Sequence, residues 1–109
     1  MIGINAAFDG AGLLRSCEVR GHAMAGPAGY DLVCAAVSIL TRTAFRVLSG
    51  REGIILRGGA PERGVFRMET EYQEAGREFL AACGAFLMDG LSSVAGMYPE
   101  HVKLIIRRG

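Results

Sequence analysis

The sequence predicts a single α+β domain in which two helices pack against a mixed β-sheet. Short runs that alternate apolar and polar residues are interleaved with two longer runs that have the helical period. The predicted order of elements is β-β-α-β-β-α-β. A chain of 109 residues is long enough to bury one hydrophobic core but not two. Because no repeat, low-complexity tract or linker interrupts the pattern, residues 1–109 form one predicted domain.

A β-hairpin is predicted at the start of the chain. Residues 2–8 place apolar side chains at every second position, which is the pattern of a half-buried strand. Residues 9–12 read DGAG and supply the residue types that favour a turn. Residues 13–20 then resume the alternation as a second strand, and His22 follows at its exit.

The first helix is predicted from Leu32 to Leu48, with Asp31 as its N-cap and Gly50 as the residue that ends it. So broad an apolar face indicates a helix that is mostly buried against the sheet. The residues of this face are Val33, Val37, Leu40, Ala44 and Val47, widened by Ala36, Ile39 and Leu48.

The second half of the chain contains another pair of predicted strands, at residues 53–57 and 65–70. The segment between them, residues 58–64, is longer than a tight hairpin turn. It contains Pro61, which fits only a loop or the edge of a sheet. We therefore expect a loop between these two strands.

A second helix and a last strand complete the predicted fold. The helix runs from about Tyr72 to Ala95, and packing must stabilise it because three glycines lower its intrinsic helix propensity. Pro99 stops its continuation, and alternate residues then form a strand. The predicted buried side of the helix consists of Ala75, Phe79, Ala82, Phe86 and Val94, and the inward residues of the strand are Val102, Leu104 and Ile106.

Composition argues against several classes of function. Lys and Arg total 12 against 11 Asp and Glu, a net charge of +1 that gives no indication of nucleic-acid binding. Cys17, Cys34 and Cys83 are widely spaced without a metal-ligand pattern, so we expect no metal and no cofactor. Cys17 and Cys83 lie in apolar patterns and are predicted core residues. With no signal peptide and no long uncharged apolar run, we expect a cytoplasmic protein with reduced thiols and no membrane contact.

Residues 21–38 read GHAMAGPAGYDLVCAAVS and carry the candidate chemistry. If the helix starts after Asp31, Cys34 lies in its first turn, where unpaired backbone N–H groups and the macrodipole lower the pKa of a thiol. His22 lies across a glycine-containing loop from Cys34 and is a candidate base. The pair therefore predicts a cysteine nucleophile with its base, whereas Cys34 alone would fit a buried structural thiol better.

The neighbouring polar residues each have two interpretations. Asp31 either caps the helix or accepts the second ring N–H of His22 and so orients that ring. Ser38 lies one turn beyond Cys34, where it either hydrogen-bonds the thiol or substrate or packs as a small residue under the site. His101 is predicted to lie on the surface, beside the last strand.

The GHA triplet, the glycine-containing loop and the segment GYDLVCAAVS together resemble the bacterial ribosomal-processing cysteine protease family, Prp. The element order is also similar, so the resemblance spans the whole chain. It implies a cytoplasmic homodimeric protease that removes the N-terminal extension of a large-subunit ribosomal protein. It further implies that Cys34 is the nucleophile, that His22 is the general base and then acid, and that Asp31 orients His22. The matching residues are Gly21, His22, Ala23, Gly29, Asp31, Val33, Cys34, Ala35 and Ser38.

Two other functions remain open at this point. A non-proteolytic ribosome-assembly or binding factor of the same fold would depend on cationic residues such as Arg57 or Arg67 rather than on Cys34. A thiol redox sensor would use Cys34 in reversible oxidation, although no resolving cysteine lies nearby in the sequence.

Overall fold

The computed structural model describes residues 1–21, 28–62 and 64–109, except for the side chains of residues 28–31. Within these ranges the elements follow the predicted order. They are β1 (Ile2–Phe8), β2 (Leu14–Arg20), α1 (Ala28–Leu48), β3 (Ile54–Glu62), β4 (Val65–Tyr72), α2 (Glu74–Met97) and β5 (Val102–Arg108).

The five strands form one mixed sheet in the order β3-β4-β2-β1-β5. β1 is antiparallel to β2, with Ile4 opposite Val19, and parallel to β5, with Ile4 also opposite Leu104. The other neighbouring strands are antiparallel. The predicted α+β class and the predicted mixed sheet are therefore confirmed.

One face of the sheet contributes to the hydrophobic core, as the alternation in β1 predicts. Buried strand residues and the buried sides of both helices form a single cluster, so the helices cover this face. Cys17 belongs to the cluster and is 1% exposed, in agreement with its predicted core position. The opposite face carries exposed polar residues such as Arg67 and Glu69.

The start of α1 differs from the predicted one. The helix begins at Ala28, so Asp31 is its fourth residue and not its N-cap. An aspartate is favourable anywhere in a first turn, because its charge interacts with the positive end of the macrodipole. An aspartate near a helix start therefore does not identify the first residue of the helix. As a result, Cys34 is the seventh residue of α1 and lies beyond its first turn.

The apolar face of α1 is only partly buried. Val33, Val37 and Leu48 are in the core as predicted, whereas Ile39 is 66% exposed and Val47 is also exposed. The prediction that this helix is mostly buried was therefore too broad. Its outer apolar residues face a groove shared with α2.

The buried side of α2 also differs from the predicted side. Phe86 is 76% exposed. The approach of the backbone explains the difference, because a Cβ atom on Gly76 would collide with the backbone of Gly53. The side of α2 that carries glycine therefore comes closest to the rest of the fold, and apolar periodicity alone does not detect this. The buried residues of α2 are Gly76, Leu80, Gly84, Leu87, Met88 and Leu91.

The loop predicted over residues 58–64 is largely strand. β3 continues to Glu62, and its pairing with β4 is irregular between Gly59 and Glu62. β3 is the outermost strand of the sheet, and an edge position tolerates Pro61 because one side of the strand needs no hydrogen-bond partner. Only two positions therefore separate the end of β3 from the start of β4, and the second of them is Gly64.

Candidate active site

Cys34 is partly buried and lies at the wall of a small cavity of about 140 Å³, which we call the Cys34 pocket. Its neighbours Val33 and Val37 face the core, so Cys34 lies at the border between the buried and exposed sides of α1. A thiol at such a border is accessible to a reactant while the helix holds its backbone. The pocket is lined by Ile2, Val19, Gly21, Cys34, Val37, Ser38 and Gly64.

Ser38 lies one helical turn beyond Cys34 and lines the same pocket. Its side chain is exposed, so Ser38 belongs to the wall of the site and is not a packing residue beneath it. This position is compatible with the predicted role as a hydrogen-bond partner of the thiol or of a substrate, which stays a prediction.

Gly21, at the exit of β2, also lines the Cys34 pocket. Its φ of +116° lies in a region that side chains disfavour, and a Cβ atom there would lie 2.5 Å from the carbonyl oxygen of Met1. The residue that follows Gly21 in the chain is His22, which lies outside the described residues. The structure thus brings Cys34 and the residue before His22 to one pocket, while the contact between Cys34 and His22 stays a prediction.

A second cavity of about 70 Å³ continues the Cys34 pocket along α1. The two cavities share Val19, Gly21, Val37, Ser38 and Gly64, so together they form one cleft, which we call the site cleft. The second cavity extends it to Thr41, Arg42, Val65 and Phe66.

Arg42 marks the far end of the site cleft. It lies eight residues after Cys34 in α1, which corresponds to about 12 Å along the helix axis. A distance of this kind matches about three to four residues of an extended peptide. Arg42 is exposed and forms no ion pair with another described residue. Sequence reasoning missed it, although the spacing of Cys34, Ser38 and Arg42 by four residues indicates one side of a helix.

The position of Cys34 changes the expected electrostatics of the site. The unpaired N–H groups of a helix belong to its first four residues, here residues 28–31, and the macrodipole effect fades beyond the first turn. The start of α1 is therefore less able to activate Cys34, or to bind an oxyanion beside it, than the sequence predicts. Activation of the thiol by a nearby base, predicted to be His22, therefore becomes more important to the hypothesis and stays a prediction.

The other two cysteines are in unreactive environments. Burial raises the pKa of Cys17 to about 12, and it also raises the pKa of Cys83 above its usual value of 9.0. A higher thiol pKa lowers the fraction of thiolate, which is the reactive form. Cys83 is only partly buried, so its predicted core position is confirmed in part.

The described part of the chain holds no cluster of potential metal ligands, and His101 lies near the start of β1. No group of three or more potential ligands among His, Cys, Asp and Glu comes together there. His101 is partly buried, and its carbonyl oxygen accepts a hydrogen bond from the backbone N–H of Ile2 at 2.8 Å. This bond joins the start of β1 to the segment before β5, which indicates a structural role for the His101 backbone.

A larger groove of about 470 Å³ lies between α1 and α2, and we call it the helix groove. By length and hydropathy α2 would also qualify as a membrane span, although one such helix is weak evidence for a membrane. Only 28% of its most apolar window is buried, so much of its apolar surface is exposed at this groove. The groove is lined by Ile39, Leu40, Thr43, Ala44, Val47, Phe79, Ala82, Cys83, Phe86 and Leu87.

Comparison with known proteins places this geometry in context. Residues 1–103 match the family model described as cysteine protease Prp. Among solved structures, SMU.848 from Streptococcus mutans is 27% identical, with a TM-score of 0.82 over 100% of this chain and 96% of that chain. No curated protein sequence matches the chain.

Two further structures with the same fold are of the essential ribosomal processing protease Prp from S. aureus. One is a complex with a substrate peptide, 18% identical to this chain, with a TM-score of 0.82. The other carries a covalently linked product peptide, also 18% identical, with a TM-score of 0.81. In both cases the match covers 98% of this chain and 100% of that chain.

Proposed function

Because the chain belongs to the Prp family of cysteine proteases, we propose that it removes the N-terminal extension from a large-subunit ribosomal protein. The S. aureus protease of the same fold is a ribosomal processing protease and binds a substrate peptide, which supports a substrate of this class. The observation that carries the proposal is the site cleft, which is lined by both Cys34 and Gly21, the residue before His22. A ribosomal substrate also places the activity in the cytoplasm.

The proposed reaction is acyl transfer through a Cys34 and His22 dyad. His22 takes the proton of the thiol, and the sulfur of Cys34 attacks the scissile carbonyl carbon to form a C–S bond. When the tetrahedral intermediate collapses, the C–N bond breaks and His22 gives its proton to the leaving amine. Water, deprotonated by His22, then attacks the thioester, which releases the acid product and restores the thiol.

The site cleft suits an extended peptide that crosses Cys34. Its walls combine apolar side chains, such as Ile2 and Val19, with the exposed backbone of Gly21 and Gly64. Backbone groups without side chains allow a peptide to approach closely. Ser38 is proposed to hydrogen-bond the thiolate or the substrate, and Asp31 to orient His22.

The direct test is cleavage of a ribosomal-protein precursor by the purified protein, followed by mass spectrometry of the products. We expect one cut, which Cys34→Ala and His22→Ala each reduce by at least about a hundredfold. Cys83→Ala is the matched control, because that thiol lies in the helix groove and not in the site cleft. Undiminished cleavage by Cys34→Ala would overturn the proposed mechanism.

The two competing functions receive less support. Arg67 donates a hydrogen bond to Glu18 at 2.9 Å, and Arg57 forms an ion pair with Glu71, so both cations already have acidic partners. A ribosome-assembly or binding role that depends on Arg57 or Arg67 would be better supported if these cations had no acidic partners. Redox-sensor cysteines often have a second, resolving thiol beside them, whereas in the described chain neither Cys17 nor Cys83 lines the Cys34 pocket.

A homodimer formed through the helix groove is also part of the proposal. None of the ten residues that line the groove is charged. In a two-fold interface each residue near the axis faces its own copy, so a surface without charge avoids repulsion between like groups. Homodimer interfaces are also more apolar than ordinary protein surface. A second copy of the chain therefore fits the groove better than a charged partner does.

A further inference from the structure

We propose that Gly64 is a positioning residue, which holds the end of β2 so that His22 starts from the wall of the Cys34 pocket. Gly64 lies in the turn between β3 and β4, far from the GHA triplet in sequence. The inference rests on the proposed dyad and adds to it a residue from another hairpin.

The evidence is a hydrogen bond between the backbones of two glycines. The N–H of Gly21 donates to the carbonyl oxygen of Gly64, with a distance of 3.0 Å. The regular pairing of β2 with β4 ends at Arg20 and Val65, so this bond extends the contact one step beyond the ladder. It restrains the backbone of the residue that immediately precedes His22.

Gly21 is held from a second side by the start of the chain. A Cβ atom on Gly21 would lie 2.5 Å from the carbonyl oxygen of Met1 and 3.1 Å from the Cα atom of Ile2. Contact on this side and the hydrogen bond on the other restrict the backbone of Gly21. These two restraints act on the backbone of Gly21, and the positioning role of Gly64 is their proposed effect on the next residue in the chain, His22.

The conformation of Gly64 orients its carbonyl group. Its φ of +79° lies in the left-handed region, which glycine adopts readily and most other residues do not. Glu62 pairs with Val65, so Gly64 is one of only two positions between the paired residues. Two-residue hairpin turns require positive φ, which explains the glycine. Gly64 also lines both cavities of the site cleft.

A purely structural role for Gly64 in the hairpin turn is the alternative, and two variants separate it from positioning. Gly12 has a similar φ of +85°, lies in the turn before β2 and has open space where a Cβ would be, so Gly12→Ala imposes comparable strain outside the site cleft. Gly64→Asn is the conservative variant, because asparagine tolerates the left-handed region better than alanine.

The experiment compares wild type, Gly64→Ala, Gly64→Asn, Gly12→Ala and His22→Ala. It measures the midpoint of thermal unfolding, kcat and KM for cleavage of the ribosomal-protein precursor, and the pH dependence of Cys34 alkylation by iodoacetamide, read by peptide mass spectrometry. We expect both alanine substitutions at glycine to lower the unfolding midpoint. Gly64→Ala, unlike Gly12→Ala, should lower kcat by about tenfold or more and shift the alkylation profile toward that of His22→Ala. Gly64→Asn should retain most of the wild-type kcat and most of the wild-type alkylation profile.

Two results separate this inference from the proposed function. If the wild-type protein cleaves the precursor and Gly64→Ala matches Gly12→Ala in kcat and in the alkylation profile, the positioning role is overturned while the protease function stands. If the wild-type protein fails to cleave the precursor but Gly64→Ala still shifts the alkylation profile of Cys34, the positioning role stands and the proposed substrate is wrong.

Discussion

The hydroxyl group of Tyr72 donates a hydrogen bond to Oδ2 of Asp9 at 3.1 Å and thereby joins the end of β4 to the turn between β1 and β2. The other carboxylate oxygen of Asp9 accepts the backbone N–H groups of Ala11 and Leu13, each at 2.9 Å. One ionised side chain thus holds the turn and a neighbouring strand. The hydrogen bond from Leu13 is the main reason why the pKa of Asp9 is below its usual 3.8.

Stability should therefore fall in acid through Asp9. A carboxylate whose pKa is lower in the folded state stabilises the protein above the pKa of the unfolded chain, and this contribution is lost as pH falls through the folded value. We expect the contribution to be complete above about pH 5 and to decline below 3.8. Asp9→Asn should flatten the dependence of the unfolding midpoint on pH between about 5 and 2.

The control for this prediction is Asp89→Asn, on the exposed side of α2, where no described residue hydrogen-bonds the carboxylate. It should leave the pH dependence as steep as in wild type. Glu18, whose pKa is lowered mainly by the hydrogen bond from Arg67, contributes in the same direction and accounts for the slope that remains in Asp9→Asn. An unchanged slope in Asp9→Asn would contradict the assignment.

Two glycines of α2 should respond in opposite directions to alanine. Gly76 lies against the backbone of Gly53, so Gly76→Ala forces the helix away and should destabilise the fold by about 2 kcal/mol or more. Gly96 has open space at the Cβ position, and Gly96→Ala should stabilise the helix by about 0.4–1 kcal/mol. Urea unfolding measures both. Equal effects of the two substitutions would show that close backbone approach does not select the buried side of α2.

The sequence predicts the order of elements but not the buried side of α2. Element order, strand alternation and the mixed sheet follow from hydrophobic period, and β1 shows this plainly because it is buried at every second residue. The buried side of α2 does not follow, since apolar residues surround most of the helix. Phe86 and Leu87 are adjacent and both apolar, yet only Leu87 is in the core. Backbone proximity at Gly76 decides between them, and it depends on contacts distant in sequence.

Only part of the candidate site could be predicted from the sequence. The proximity of Cys34 to the exit of β2 was predictable, because both flank one short connection in the sequence. The position of Gly64 at the pocket was not predictable, because it depends on the register with which β4 pairs with β2. The first residue of α1 was also missed, because both an N-cap and a first-turn position suit an aspartate.

Dimerisation through the helix groove should depend on Phe86. Phe86→Asp removes an exposed aromatic side chain and places a charge near its own copy across a two-fold axis. We expect it to weaken the dimer by about thirtyfold or more, which corresponds to a hot spot of about 2 kcal/mol. Sedimentation equilibrium over a range of protein concentrations measures the change.

The matched control is Ile105→Asp, which introduces the same charge at an exposed apolar residue of β5, outside the helix groove. It should leave the dissociation constant of the dimer unchanged. A wild-type protein that remains monomeric at micromolar concentration, or a dimer that tolerates Phe86→Asp but not Ile105→Asp, would exclude the helix groove as the interface.

Asp31 should affect catalysis more than stability. It is the fourth residue of α1 and precedes Cys34 by three positions in one continuous helix, and the proposed dyad gives it the role of orienting His22. Asp31→Asn removes the charge but keeps the size of the side chain. We expect kcat for precursor cleavage to fall by at least about tenfold, with KM nearly unchanged.

Glu74→Gln tests whether the loss of kcat in Asp31→Asn comes only from the loss of a negative charge in the first turn of a helix. Glu74 is the acidic residue in the first turn of α2, so its neutralisation removes a similar interaction with a macrodipole at a distance from the site cleft. Both variants should lose no more than about 1 kcal/mol of stability, because first-turn charges contribute about 0.3–1 kcal/mol each. Only Asp31→Asn should lose activity. If the two variants lose equal stability and both retain kcat, Asp31 stabilises the start of α1 and takes no part in orienting His22.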